Sequence, residues 1–208
     1  MFSEPLRRQP QVLESGTTTV GLICNGGVIL ATESRATMGY LIASERAAKI
    51  HKITDRIAMT IAGTVADAQQ LVRLVRANIN LKMLETEHEA SVRSVTHLTA
   101  ALLFQNRLFP YITQLIVGGI DSEGPHLFSL DPLGSVIEED KFTATGSGSV
   151  IAYGVLEDGY RDGMSIEEGV ELAKRAIKAA RKRDAASGGK IQVAIITKDG
   201  IKLEEYAD

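Results

Sequence analysis

The first residues with the makings of chemistry lie at a junction near the start of the chain, Leu13-Glu14-Ser15-Gly16-Thr17-Thr18-Thr19-Val20-Gly21. A cut after Gly16 would give Thr17 a free α-amine beside its hydroxyl. An α-amine titrates at about 7.7–8.0, so it is a base near neutral pH and needs no histidine. This is the threonine variant of a nucleophile paired with its own terminal amine. The β-branch restricts χ1 and holds Oγ in few rotamers. Glycine at 16 admits the backbone distortion that self-cleavage requires. The same run also reads as the plain start of a β-branched strand.

Partners for such a threonine stand on apolar segments. In Thr32–Gly39, Glu33 and Arg35 fall two residues apart and share one side of a strand. Lys49 opens another strand-like run. It is either a surface lysine whose stem lies along apolar residues, or a cation beside Thr17 that stabilises an ionised Oγ and keeps the amine neutral. In the second case Glu33 would orient it. Asp184 and Ser187 flank a helix end whose Ser-Gly-Gly also makes an ordinary cap. Ser147, in Thr145-Gly146-Ser147-Gly148, also fits a simple turn. No Gly-x-Ser-x-Gly and no phosphate loop is present. His51, His88, His97 and His126 have no metal-ligand spacing. Cys24 is the single cysteine, so an intramolecular disulfide is excluded, and it reads as a small buried hydrophobe.

The elements that must position these residues follow from patterning. The chain has 208 residues, 44% hydrophobic and 24% charged, with net charge −3. That suits one globular domain with a substantial core. No basic excess points to nucleic acid: Lys174, Arg175, Lys178 and Arg181–Arg183 follow Glu167, Glu168 and Glu171 at helical spacing, as on a solvated helix. No apolar run is long enough for a membrane span. Residues 1–16 lack the apolar core of a secretory signal and read as a leader, so a cytoplasmic location is expected. Strands are predicted at Thr17–Cys24, Val28–Ser34, Lys49–Ile53 and Ile57–Ala62. A helix follows, with Val65, Ala68, Val72, Val75 and Ile79 on one face and Thr64/Asp67 as a capping box. A second runs from about Ser91 to Gln105, with Val92, Val95, Thr99 and Leu102 inward. Strands return at Thr113–Ile120, His126–Leu130 and Ser135–Thr145. A short helix is predicted at Ile151–Tyr160, and a longer one opens with the Ser165/Glu168 capping box. Lys190–Thr197 and Ile201–Tyr206 are the last strands. Strict β-α alternation is absent, which argues for two sheets with helices outside them over a doubly wound sheet.

In order along the chain stand GTTTVG, ATESRATMG, Lys49, MTIAGTVADAQ, VGGID, TGSGS, YGVLE and RDAASGG. Together they resemble the β subunits of archaeal-type proteasomes, over nearly the whole chain after Gly16. The resemblance implies the N-terminal-nucleophile hydrolase fold, an α+β, four-layer αββα sandwich of two antiparallel sheets flanked by helices. It implies that residues 1–16 are a propeptide removed by self-cleavage after Gly16, and that 17–208 form the catalytic domain. By motif position Thr17 is the nucleophile and its amine the proton acceptor. Lys49 activates it, with Glu33 beside it where many relatives carry Asp. Ser147, Asp184 and Ser187 match the supporting polar shell. Gly63 matches the residue whose N–H faces the developing oxyanion. Thr37, Gly63 and Val65 match positions that pair with an extended peptide. Ala36, Ala47, His51, Ile61 and Val65 would line the pocket for the side chain before the cut. Its mostly apolar lining favours apolar or aromatic residues. The leader would keep the amine masked until assembly, safe from acetylation.

The implied partners are α subunits, other β copies in heptameric rings stacked four deep with β inside, a regulatory ATPase acting through the α ring, and unfolded polypeptide substrates. No cofactor is expected, because nucleophile and base share one residue. The alternatives are a non-catalytic structural β subunit, a bacterial two-ring threonine protease served by an ATP-driven unfoldase, or another N-terminal-nucleophile amidohydrolase.

Overall fold

The computed structural model describes residues 16–207; the expected leader, apart from Gly16, lies outside them. Twelve strands and four helices follow one another as β1 (Thr19–Cys24), β2 (Gly27–Glu33), β3 (Ala36–Met38), β4 (Leu41–Ser44), β5 (Ile50–Lys52), β6 (Ile57–Gly63), α1 (Val65–Thr86), α2 (Val92–Gln105), β7 (Thr113–Asp121), β8 (Gly124–Leu130), β9 (Val136–Glu139), β10 (Phe142–Thr145), α3 (Ser149–Gly159), α4 (Ile166–Arg181), β11 (Ile191–Thr197) and β12 (Gly200–Tyr206).

Two five-stranded antiparallel sheets carry the fold, ordered β10-β1-β2-β11-β12 and β5-β6-β7-β8-β9. Side-chain alternation divides each strand between two cores. Along β2, Ile29 and Ala31 join α3 and α4 residues such as Leu156, Ala173 and Ile177. Their neighbours Val28 and Leu30 meet Ala58, Ile116 and Leu127 of the other sheet. Along β6, Ile57, Met59 and Ile61 join Leu71, Val75 and Leu103 of α1 and α2. The layers are therefore helix, sheet, sheet, helix, the four-layer αββα sandwich of the α+β class. Thr60, on the inter-sheet face of β6, reaches across the layer. Its Oγ1 donates to Thr19 Oγ1 at 3.0 Å, and Thr19 Oγ1 meets Thr145 Oγ1 at 2.6 Å.

Several predicted boundaries move. Regular pairing begins at Thr19, leaving Thr17 and Thr18 ahead of the strand. β2 ends at Glu33, so Arg35 lies beyond it and the two do not share a strand face. β3 and β4 form a separate hairpin around Gly39; Leu41 and Ile42 on it are exposed, so no burial alternation announces it. Ser135–Thr145 is two strands in different sheets: β9 pairs with β8 and β10 with β1. Only Asp140 and Lys141 separate the two, too few residues to mark the change of sheet in the sequence. α3 starts at Ser149, ahead of Ile151.

Helix caps divide in the same way. Ser165 accepts from Glu168 N at 3.2 Å and Glu168 Oε2 accepts from Ser165 N at 2.9 Å, the full capping box. Thr64 makes no side-chain cap. Asp67 instead accepts the N–H of Ile112 at 2.9 Å, a donor from a neighbouring loop with no strand partner. Val65 is 52% exposed, so the buried face of α1 is Ala68, Leu71, Val72, Val75 and Ile79. On α2, Leu103 is fully buried and Leu102 only partly. Among the described residues no helix is long and apolar enough to cross a membrane.

Candidate active site

Thr17 stands two residues ahead of β1 and is 1% exposed. Its Oγ1 donates to the Gly16 carbonyl oxygen at 2.7 Å. Lys49 Nζ donates to the same Oγ1 at 2.9 Å. Lys49 immediately precedes β5, and Ile61 N of β6 donates to its carbonyl at 3.1 Å. Gln192 Oε1 accepts its N–H at 3.3 Å. The lysine backbone is thus pinned by both sheets, and the side chain has one direction to go.

Glu33 is completely buried. Its Oε1 takes the Lys49 ammonium in a short ion pair and the Thr18 N–H at 3.4 Å. Its Oε2 takes the N–H groups of Arg35 at 2.7 Å and Gly188 at 3.0 Å. A buried carboxylate persists only with such a set of donors. Burial lowers the pKa of Lys49 below its ordinary value. The charge and hydrogen bond of Glu33 oppose that fall and Arg35 adds to it. Lys49 accordingly gives up its proton more readily than a surface lysine, so more of it is free to act as a base near neutral pH.

A second cluster lies on the amide side of Thr17. Ser147 Oγ accepts the Thr17 N–H at 3.2 Å and donates to Asp184 Oδ2 at 2.6 Å. Ser187 Oγ donates to the same carboxylate oxygen at 2.6 Å and meets Thr18 Oγ1 at 2.7 Å. Close approach is possible because glycines flank Ser147. A Cβ on Gly146 would lie 2.0 Å from the Thr17 carbonyl oxygen, and one on Gly148 2.0 Å from Thr18 Oγ1. Thr18 is a member of this cluster that the sequence reading does not name. Its signal in the sequence is the run Thr17-Thr18-Thr19, three successive hydroxyls, of which Thr18 Oγ1 meets Ser187 while those of Thr17 and Thr19 meet Lys49 and Thr145.

Residues 13–196 match the family described as "Proteasome subunit". The chain belongs to the proteasome subunit family. It is 56% identical over 191 residues to the proteasome subunit beta of Methanoregula boonei, covering 92% of this chain and 90% of that one. It is 57% identical over 182 residues to that of Ferroglobus placidus, with 88% and 87% covered, and 54% over 184 residues to that of Archaeoglobus fulgidus, with 88% and 86% covered. Within the proteasome family it therefore stands with the β subunits.

The remaining expected residues of this β subunit stand on other elements. Ala36 and Thr37 are on β3, where Thr37 Oγ1 is buried with no hydrogen-bond partner among the described residues. Ala47 N donates to Ser34 O at 2.8 Å, which draws the segment before Lys49 against the end of β2. His51 lies on β5 opposite Met59, and Ile61 is buried on β6. Burial, then the Arg76 charge, lowers the His51 pKa and keeps the ring neutral. Val65 begins α1. Gly63 ends β6 at φ +152°, and a Cβ there would lie 2.0 Å from Ile112 O, so only glycine fits. The structure thus joins Thr17, Glu33, Lys49, Ser147, Asp184 and Ser187 by direct hydrogen bonds. Ala36, Thr37, Ala47, His51, Ile61 and Val65 stand on β3, β5, β6, α1 or the segment before Lys49, and among the described residues their side chains make no hydrogen bond to Thr17. No group of His, Cys, Asp or Glu among the described residues is arranged to hold a metal.

Proposed function

We propose that this β subunit is a self-processing threonine endopeptidase. The observation that carries the reading is Thr17 Oγ1 held between Lys49 Nζ at 2.9 Å and the Gly16 carbonyl at 2.7 Å. In the first step Lys49, in the neutral form that its burial favours, takes the Oγ1 proton on Nζ while Oγ1 bonds to the Gly16 carbonyl carbon. The C–N bond to Thr17 then breaks and its nitrogen takes the proton, leaving an ester between Gly16 and Oγ1. Water adds to that ester, residues 1–16 depart as a carboxylic acid, and Thr17 keeps its hydroxyl and a free amine. The domain boundary falls there, with 1–16 as propeptide and 17–208 as the catalytic unit.

In the mature form the amine is the base nearest Oγ1. Ser147, backed by Asp184, already accepts from that nitrogen and would orient it. Glu33 and Lys49 supply the fixed charges, and Ser187 steadies Asp184 and Thr18. The N–H of Gly63 is the proposed oxyanion donor. A substrate strand would run along Thr37, Gly63 and Val65, pairing through main chain so that many sequences are accepted. Its side chain before the cut would enter the space lined by Ala36, Ala47, His51, Ile61 and Val65. The assembly we infer has α subunits and β copies in heptameric rings, stacked four deep in the cytoplasm. A regulatory ATPase at the α ring would feed it unfolded chains.

Intact mass tests this directly. Co-expressed with its α subunit, the chain should lose residues 1–16, and Thr17→Ala should keep them. Retention by both in an assembled particle would make this a structural subunit and remove the catalytic assignment.

A further inference from the structure

We propose that Ala186 is the residue that restricts position 16 to glycine, and so decides which junction this chain can cut in itself. The inference rests on the self-cleavage reading above. A Cβ on Gly16 would lie 1.9 Å from Ala186 Cβ, 3.2 Å from Ala186 Cα and 2.8 Å from Ser147 Oγ, where ordinary contact begins at 3.4 Å. The methyl of Ala186 is therefore the main obstruction. The Ser147 hydroxyl is the tip of a side chain, and the Ala186 Cα distance alone asks for a shift of only tenths of an ångström.

The wall has little room to retreat. Ala186 N donates to Asp184 Oδ1 at 3.3 Å and Ser187 N to Asp184 O at 3.2 Å. Arg35 Nη1 donates to the Ala185 carbonyl at 3.3 Å. Two residues on, the Gly188 carbonyl accepts from Ser34 N at 3.1 Å and Arg35 N at 3.0 Å. Moving Ala186 outward would disturb the segment that also holds Glu33 and Ser147. A side chain at 16 must instead push the Gly16 carbonyl away from Thr17 Oγ1, and a displacement of about 1 Å at a reacting centre costs roughly 10²-fold in rate.

The restriction belongs to the chain's own junction. Ala36, Ala47, His51 and Ile61, proposed to receive a substrate side chain, stand on or beside β3, β5 and β6, and none is among the atoms nearest a Cβ at 16. Self-cleavage and substrate cleavage thus share Thr17 and Lys49 but present the residue before the cut to different walls. One site is strict for glycine in the first reaction and open to side chains in the second.

The test is a four-chain cycle, each chain co-expressed with the α subunit, with leader loss timed by intact mass in assembled particles. Gly16→Ala should slow release about 10²-fold. Adding Ala186→Gly to Gly16→Ala should restore at least tenfold of that loss, a rescue that a general structural role of Ala186 does not produce. A double variant no faster than Gly16→Ala, while wild type sheds its leader, overturns the role of Ala186 and leaves self-cleavage standing. Leader retention by the wild type overturns both, since no self-cleavage remains to be restricted. If chains with Ala186→Gly do not assemble, Ala186→Val with Gly16 intact takes their place. The bulkier wall should slow release at least tenfold, and an unchanged rate overturns the proposal.

Discussion

Replacing Glu33 by glutamine changes one oxygen to an amide NH2 and removes one charge. Both carboxylate oxygens are already committed to donors. Oε1 takes Lys49 Nζ and Thr18 N, and Oε2 takes Arg35 N and Gly188 N. Whichever way the amide turns, its NH2 faces two N–H groups. Each buried donor left unsatisfied costs about 1–3 kcal/mol, and breaking a buried ion pair costs roughly 3–5 kcal/mol. With Glu33 buried completely, a loss of about 3–5 kcal/mol in subunit stability is expected. The effect on rate is separate. Without Glu33 the charge and hydrogen bond that most oppose the fall in the Lys49 pKa disappear, so burial lowers it further. The amine then loses its proton more readily but is no longer aimed at Thr17 Oγ1. Loss of a positioned proton-transfer group costs about 10²–10⁴-fold. Leader release followed by intact mass, and then peptide hydrolysis by assembled particles, should both fall at least 10²-fold. Glu33→Asp keeps the charge on a shorter stem and should recover most of the rate. A Glu33→Gln chain that assembles and sheds its leader at the wild-type rate would refute the claim that this carboxylate aims Lys49.

Gly63→Ala should destabilise the subunit by about 2–5 kcal/mol, from overpacking against Ile112 O together with backbone strain; denaturant unfolding measures it, and a change under about 0.5 kcal/mol would be contrary. Leader release should accelerate as pH rises. The folded pKa of Lys49 lies below the unfolded value of about 10.4, so the folded chain binds fewer protons between the two. Stability gains from this group as pH climbs through that window and loses it as pH falls through the lowered value. The pH profile of release should show that limb in the wild type and lose it in Lys49→Met, and a flat wild-type profile would count against Lys49 as the proton acceptor. Among fluorogenic peptides, those with apolar or aromatic residues before the cut should be cleaved fastest, given a neutral His51 beside Ile61 and two alanines. Fastest cleavage after lysine or arginine would overturn that reading.

Much of the architecture was legible because buried faces impose their period on sequence. β2, β6 and α4 announce themselves through Ile29, Met59 and Ile177 and their neighbours. The Ser165/Glu168 cap was legible because both partners are local. Thr64/Asp67 has the same spacing and fails, because Asp67 finds a stronger need at Ile112 N, 45 residues away. The β3–β4 hairpin was illegible for want of a buried face, and the β9–β10 corner because only Asp140 and Lys141 separate the two strands. At the site, the polar residues themselves stood out, Thr17, Glu33 and Lys49 on otherwise apolar segments. Their mutual contacts did not. That Glu33 accepts from Gly188, or that Ser147 bridges Thr17 and Asp184, depends on separations of 155, 130 and 37 residues, which no local pattern encodes.

The position of β1 has a consequence for synthesis. The strand that follows the nucleophile lies between β2 and β10, and β2 in turn needs β11. Glu33 lacks one of its four donors until Gly188 exists, and Ser147 lacks its acceptor until Asp184 does. A ribosome that has made three quarters of the protein therefore carries a threonine with no finished surroundings. Pairings of such long sequence separation form late. The polar centre can close only on a chain that is all but complete, so under the proposed self-cleavage the order of translation itself would keep a half-made subunit from cutting its own leader.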